Sequence, residues 1–167
     1  MQEKDYAAEY LALKAANDQL RERGKQWLFD SLNQICAEIN QKLLTQGNQQ
    51  QGLASILSGV QPGWQFKVEN AVMVGERFGA RFRHRTLIVE VGWPRLPEHG
   101  FITDGGLARG RVGLSQNTII EPQLVAELIL KKAGSSEPVW FVFKNKTLGE
   151  QVTEVRLKEY LNCIMAD

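Results

Sequence analysis

Cysteine and histidine are scarce in this chain, whose 167 residues contain two of each. Cys36 and Cys163 have neither a second cysteine nor a histidine close by in sequence. That excludes a local zinc motif and leaves no disulfide framework. Both read as small apolar core residues. A nucleophilic thiol needs a base within reach, but His84 and His99 fall in the stretch that reads as sheet, whereas the cysteines fall in stretches that read as helix. Among metal-ligand combinations, His84 and Glu90 share a strand face, yet six residues at ~3.3 Å each hold them about 20 Å apart. His99 with Glu98 and Asp104 can meet only in a loop, where a solvated histidine is the simpler reading. No cofactor is called for.

Other absences narrow the function classes further. There is no Gly-x-Ser-x-Gly nucleophile elbow and no Gly-x4-Gly-Lys-Ser/Thr phosphate loop. Gly110-Arg111-Val112-Gly113 matches the Gly-x-x-Gly of KH modules, but there the loop joins two helices, and here strand is expected on both sides. No apolar run approaches the ~18 residues of a spanning helix, and Met1–Asp5 lacks the basic start and apolar core of a signal peptide. The expected setting is therefore cytoplasmic, with no membrane partner, and Asn145-Lys146-Thr147 is a chance glycosylation pattern. Net charge is only +1, so overall charge implies no partner. By thirds the chain carries −1 over residues 1–60, +3 over 61–120 and −1 over 121–167. Any basic surface must come from the middle.

What is present is an ordinary globular composition, 43% apolar and 23% charged, in a chain of single-domain length. Residues 4–46 read as one long helix. Proline is absent there and Gly24 is the only glycine. Leu28, Leu32, Ile35, Ile39 and Leu43 form an amphipathic stripe. Upstream, Tyr6, Leu13, Leu20 and Trp27 recur every seven, but the intervening seam residues are Tyr10, Asn17, Gly24 and Ser31, so the coiled-coil-like seam is half polar. The alternative is two helices broken near Arg23-Gly24-Lys25. A helix of ~40 residues spans about 60 Å, more than one small domain can cover. A second copy of the chain is the simplest cover for the excess.

Gly47 is expected to end this helix, followed by a polar connector at 48–52 and a short helix over Leu53–Leu57 closed by Gly59 and Pro62. From Gly63 the period changes to two. Trp64, Phe66, Val68, Val72 and Val74 mark a strand or strand pair, Glu76–Gly79 a turn, and residues 80–93 a second long strand ending in the apolar run Leu87–Val91. Asp104-Gly105-Gly106 reads as a hairpin turn between Phe101–Thr103 and Leu107–Leu114. Glu121-Pro122 is expected to open a helix with Leu124, Val125, Leu128 and Ile129 inward and Gly134 as its cap. Val139–Phe143 reads as a strand, Lys144–Lys146 as a turn, and Thr153 as the cap of a last helix burying Leu157, Tyr160, Leu161 and Ile164. Thr147 and Glu150 offer an earlier capping box. The expected fold is α+β: a mostly antiparallel sheet of about five strands, two C-terminal helices and a long N-terminal amphipathic helix. Residues 1–47 form the helical, oligomerising part and 48–167 the α+β domain.

Arg81, Arg83 and Arg85 are expected on one face of a strand, and Arg109 with Arg111 as a second same-face pair. If the two segments are neighbours, five arginines cluster and invite anions, as phosphates gripped bidentately or an acidic protein surface. Phe78, Phe82 or Trp93 would add stacking if exposed. The plainer reading pairs these arginines with Glu69, Glu76 or Glu90 on a half-solvated sheet. Trp64, Trp93, Trp140 and Phe141 read as core. The sequence leaves three functions open: a non-catalytic protein-interaction module that self-associates through its N-terminal helix, a nucleic-acid or polyanion binder using the arginines, or an enzyme with a site assembled from dispersed residues.

Overall fold

A computed structural model describes residues 5–46, 54–116, 121–134 and 137–166. Helix α1 runs unbroken from Tyr6 to Thr45, its start capped by Asp5, whose carboxylate accepts from the Ala8 amide. Seven strands follow: β1 (Leu57–Val68), β2 (Ala71–Phe82), β3 (Arg85–Trp93), β4 (Ala108–Ser115), β5 (Gln123–Lys132), β6 (Pro138–Lys144) and β7 (Thr147–Gln151). They form one antiparallel sheet in sequence order, each strand paired to the next. Helix α2 (Glu154–Met165) closes the chain, with the Thr153 hydroxyl accepting from the Arg156 amide as its cap.

Both helices cover the same face of the sheet. Phe78, Ala80 and Phe82 of β2, Leu87, Val89, Val91 and Trp93 of β3, and Leu128 and Leu130 of β5 form one core cluster with α1 and α2. The α1 contribution begins at Leu20 and runs through Leu28, Phe29, Leu32, Ile35 and Cys36. Phe29 stacks on Phe78 at 5.8 Å between ring centroids. Gly24, the suspected break, is instead the point of closest approach to the sheet. A Cβ there would lie 2.6 Å from Leu130 Cδ2, and the Gly24 carbonyl accepts from Trp140 Nε1 at 2.8 Å. The glycine is used for contact, which outweighs its helix-propensity cost of about 1 kcal/mol.

Several expectations are corrected. The sheet has seven strands rather than about five, and one C-terminal helix rather than two, because residues 123–132 form β5. Their apolar residues alternate onto both faces of a central strand, and a short apolar run of that kind fits helix and strand periodicity alike. Residues 80–93 are not one strand: β2 ends at Phe82, the chain reverses at Arg83 (φ 54°) and His84, and β3 begins at Arg85. Glu76–Gly79 lies inside β2, and the preceding reversal is at Glu69 and Asn70. Asp104 and Gly105 belong to a single 3₁₀ turn that precedes β4, so no hairpin forms there. Leu57 opens β1 rather than closing a helix. Gly47 and the connector at 48–52 lie outside the described residues, as does Leu53. The last helix starts at Thr153 as expected, the Thr147 alternative being occupied by β7. No described helix is long and apolar enough to cross a membrane.

Candidate functional site

Two surfaces stand out, the projecting end of α1 and the sheet face that the helices leave open. On α1 every residue from Asp5 to Ala16 is exposed, a stretch about 18 Å long at 1.5 Å per residue. Tyr6, Tyr10 and Leu13 are 74%, 65% and 61% exposed. They are spaced four and three apart, and Asn17, Leu20 and Gly24 continue the same line. Leu20 and Gly24 on that line are buried, and burial continues at Leu28, Ser31 and Leu32, while Trp27 stays 41% exposed. The stripe that docks α1 on its own sheet therefore extends past the sheet, still apolar, with no cover among the described residues.

The open sheet face is built around a cross-strand ladder. Arg77 of β2 stands opposite Glu90 of β3, Glu90 opposite Arg111 of β4, and Arg111 opposite Glu127 of β5. Opposite charges at facing positions stabilise an antiparallel pair. Glu90 is the hub. Its Oε1 accepts from Arg111 Nη2 at 2.9 Å and Nε at 3.1 Å, and its Oε2 from Trp64 Nε1 at 2.5 Å. The Arg77 guanidinium lies 4.6 Å from the Trp64 ring centroid and that of Arg111 lies 5.0 Å from Phe66. Trp64, Arg77, Glu90 and Arg111 line a shallow hollow of about 510 Å³ that also includes Ile88, Leu124 and Glu127.

The five arginines singled out in the sequence do not gather. Arg81 is exposed, and its Nε donates to the Arg83 carbonyl at 2.9 Å. Arg83 sits in the β2–β3 turn with its guanidinium 5.2 Å from the Phe82 ring. Arg85 reaches to the end of α2, where Nη1 donates to the carbonyls of Cys163 and Ala166. Arg111 is held by Glu90 and the Lys67 carbonyl. Arg109 is buried, 2% exposed. A stripe of three on one strand face required residues 80–93 to be a single strand, and the reversal at Arg83 separates them.

Sequence reading named Glu90 as one carboxylate that the arginines could pair with, which Arg111 does, but it missed Arg77 and the ladder that runs through Glu90. The alternation of Arg77 and Glu90 with Arg111 becomes visible only once β2, β3 and β4 are in register. His84 is exposed in the turn, and His99 lies in a 3₁₀ turn with a buried Nδ1 that has no hydrogen-bond partner. No group of three or more metal-ligating side chains occurs among the described residues. Burial pushes the Cys36 thiol up to about 11, which keeps it protonated and inert near neutrality. Comparison with protein-family models, with curated proteins and with solved structures finds no match to this chain.

Proposed function

We propose that this chain is a protein-interaction module that self-associates through the projecting turns of α1, two copies pairing antiparallel. The observation that carries this is the continuity of the α1 stripe, buried on the sheet at Leu20 and Gly24 and exposed at Tyr6, Tyr10 and Leu13. Water-exposed apolar positions in an otherwise sheet-docking line favour a second surface that removes them from water.

The spacing supports a second copy as that surface. Tyr6, Tyr10, Leu13 and Asn17 are separated by four, three and four, an order that reads the same in both directions. An antiparallel partner can therefore set Tyr6 opposite Asn17 and Tyr10 opposite Leu13, twice over, about a two-fold axis. A parallel partner is sterically disfavoured, because past Leu20 it would run into the sheet that already covers the stripe. The polar Asn17 layers at the two ends of the overlap fix its register, as single polar seam residues do in coiled coils.

Sedimentation velocity from about 1 to 100 µM, the usual range for a modest interface, tests the reading. The wild type is expected to approach twice its 18.8 kDa mass as concentration rises. The variant Tyr6→Glu/Tyr10→Glu/Leu13→Glu is expected to stay monomeric, with the thermal unfolding midpoint of the dilute wild type and without the rise with concentration that association gives the wild type, since none of the three residues is buried within the chain. A wild type that is monomeric throughout, or a dimer indifferent to the triple substitution, overturns it.

A further inference from the structure

The most deeply buried arginine is short of hydrogen-bond partners. Arg109 lies on β4 between Gly92 of β3 and Ile129 of β5. Its Nε is buried without a hydrogen-bond partner. The one carboxylate within 4 Å among the described residues is Glu127, whose Oε2 stands 3.9 Å from Nη2, beyond hydrogen-bond length. The guanidinium otherwise rests 4.5 Å from the Phe143 ring centroid. Two residues along the same strand, Arg111 makes three hydrogen bonds. A guanidinium cannot shed its proton to escape burial, and a buried charge is costly unless it is paired and hydrogen-bonded.

Arg109 also lines a cavity of about 190 Å³ between the β1–β2 reversal and the loop that carries Gly100–Thr103. The rest of the lining is mixed, an apolar wall of Val68, Ala71, Met73 and Ile102 facing a polar rim of Glu69, Asn70 and Thr103. The first three belong to a small separate cluster against which Ile102 packs. A small hollow with one apolar wall and a buried guanidinium beside it is the general form of a ligand site that orients its occupant by a single charge. We infer that this cavity binds a small organic monocarboxylate, its carboxylate on Arg109 and its hydrocarbon body against Val68, Ala71, Met73 and Ile102. Arg109 is too deep to touch a nucleic-acid backbone. Phosphate would bring more charge than one guanidinium neutralises, would set part of it beside the Glu69 carboxylate, and has no hydrocarbon to place against the apolar wall. The site is on the sheet face opposite the helices, so its failure leaves the self-association reading untouched.

The test follows the Arg109 Nε–H resonance in ¹⁵N-labelled protein during titration with benzoate, benzamide and inorganic phosphate. Benzoate is expected to shift that resonance saturably below about 10 mM, a modest small-ligand affinity, whereas benzamide and phosphate leave it in place. Arg109→Lys keeps the charge, loses the fork, and is expected to weaken benzoate about tenfold. Ala71→Leu fills the hollow with Arg109 intact and is expected to abolish the shift. It serves as the deciding variant where the lysine protein does not fold. The absence of a saturable shift overturns the inference. So do an equal response to benzamide or phosphate, and binding that persists in Ala71→Leu.

Discussion

Glu90 is the residue on which the open sheet face depends most. Its two oxygens accept from Arg111 and Trp64, so removing its charge leaves a guanidinium and an indole N–H short of partners in a half-buried setting. Glu90→Gln is expected to cost about 2–3 kcal/mol, read as a lower urea midpoint at constant slope. Arg111→Met in the same chain should return part of that loss, because the stranded cation is then gone. Cys36 makes a different kind of prediction. Burial raises its thiol from 9.0 to about 11, so the folded chain keeps a proton that the unfolded chain gives up as pH passes 9. That contribution is complete below pH 9 and is lost between 9 and 11, at about 1.4 kcal/mol per pH unit. Cys36→Ala is expected to flatten this part of the stability profile. Tyr160, raised chiefly by burial, leaves a residual slope of the same sign in both proteins.

At the scale of elements, β2 and β3 approach so closely that one glycine is obligatory. A Cβ on Gly75 would fall on the Val91 carbonyl, whereas one on Gly79, four residues further along the same strand, meets nothing within 4 Å. Gly75→Ala is expected to cost about 4 kcal/mol or more because backbone must move, while Gly79→Ala changes stability by about 0.5 kcal/mol or less; paired thermal melts decide it. The sequence carried no sign of that difference, since two glycines in one strand look alike until the partner strand is in place. Helix α1 was legible because its apolar period persists across Leu28–Leu43 with no proline, and α2 because Thr153 precedes a clean stripe. Strand β5 was not, because Leu124, Val125, Leu128 and Ile129 satisfy a helical pattern while Leu128 and Leu130 in fact share the helix-covered face. The arginine grouping failed for a related reason: alternation shows that Arg81, Arg83 and Arg85 would share a face only if the chain stays extended, and nothing local marks the reversal at Arg83. The Glu90 ladder is a product of register across four strands, which composition and spacing do not encode.

Across the whole molecule, the sheet is a meander whose neighbours in space are neighbours in sequence, and its helices occupy one face. The projecting end of α1 is then the part not accounted for by the domain's own packing, and antiparallel pairing makes a geometric prediction that a parallel one does not. With Tyr10 opposite Leu13, the two-fold axis crosses the helix between residues 11 and 12. An exposed position such as Gln26 lies 14.5 residues from that axis, so its counterpart on the second copy sits about 44 Å away along the helix direction. Spin labels at Gln26→Cys, in a chain where Cys163 is replaced by Ala and the buried Cys36 is retained, are expected to give an electron–electron distance near that value. A parallel pair in register would bring the two labels within about 20 Å, because the interhelix spacing is then nearly the whole separation. A short distance overturns the antiparallel register while leaving association intact. Loss of any dipolar signal on adding Tyr10→Glu ties the measured pair to the exposed stripe rather than to a contact elsewhere on the sheet.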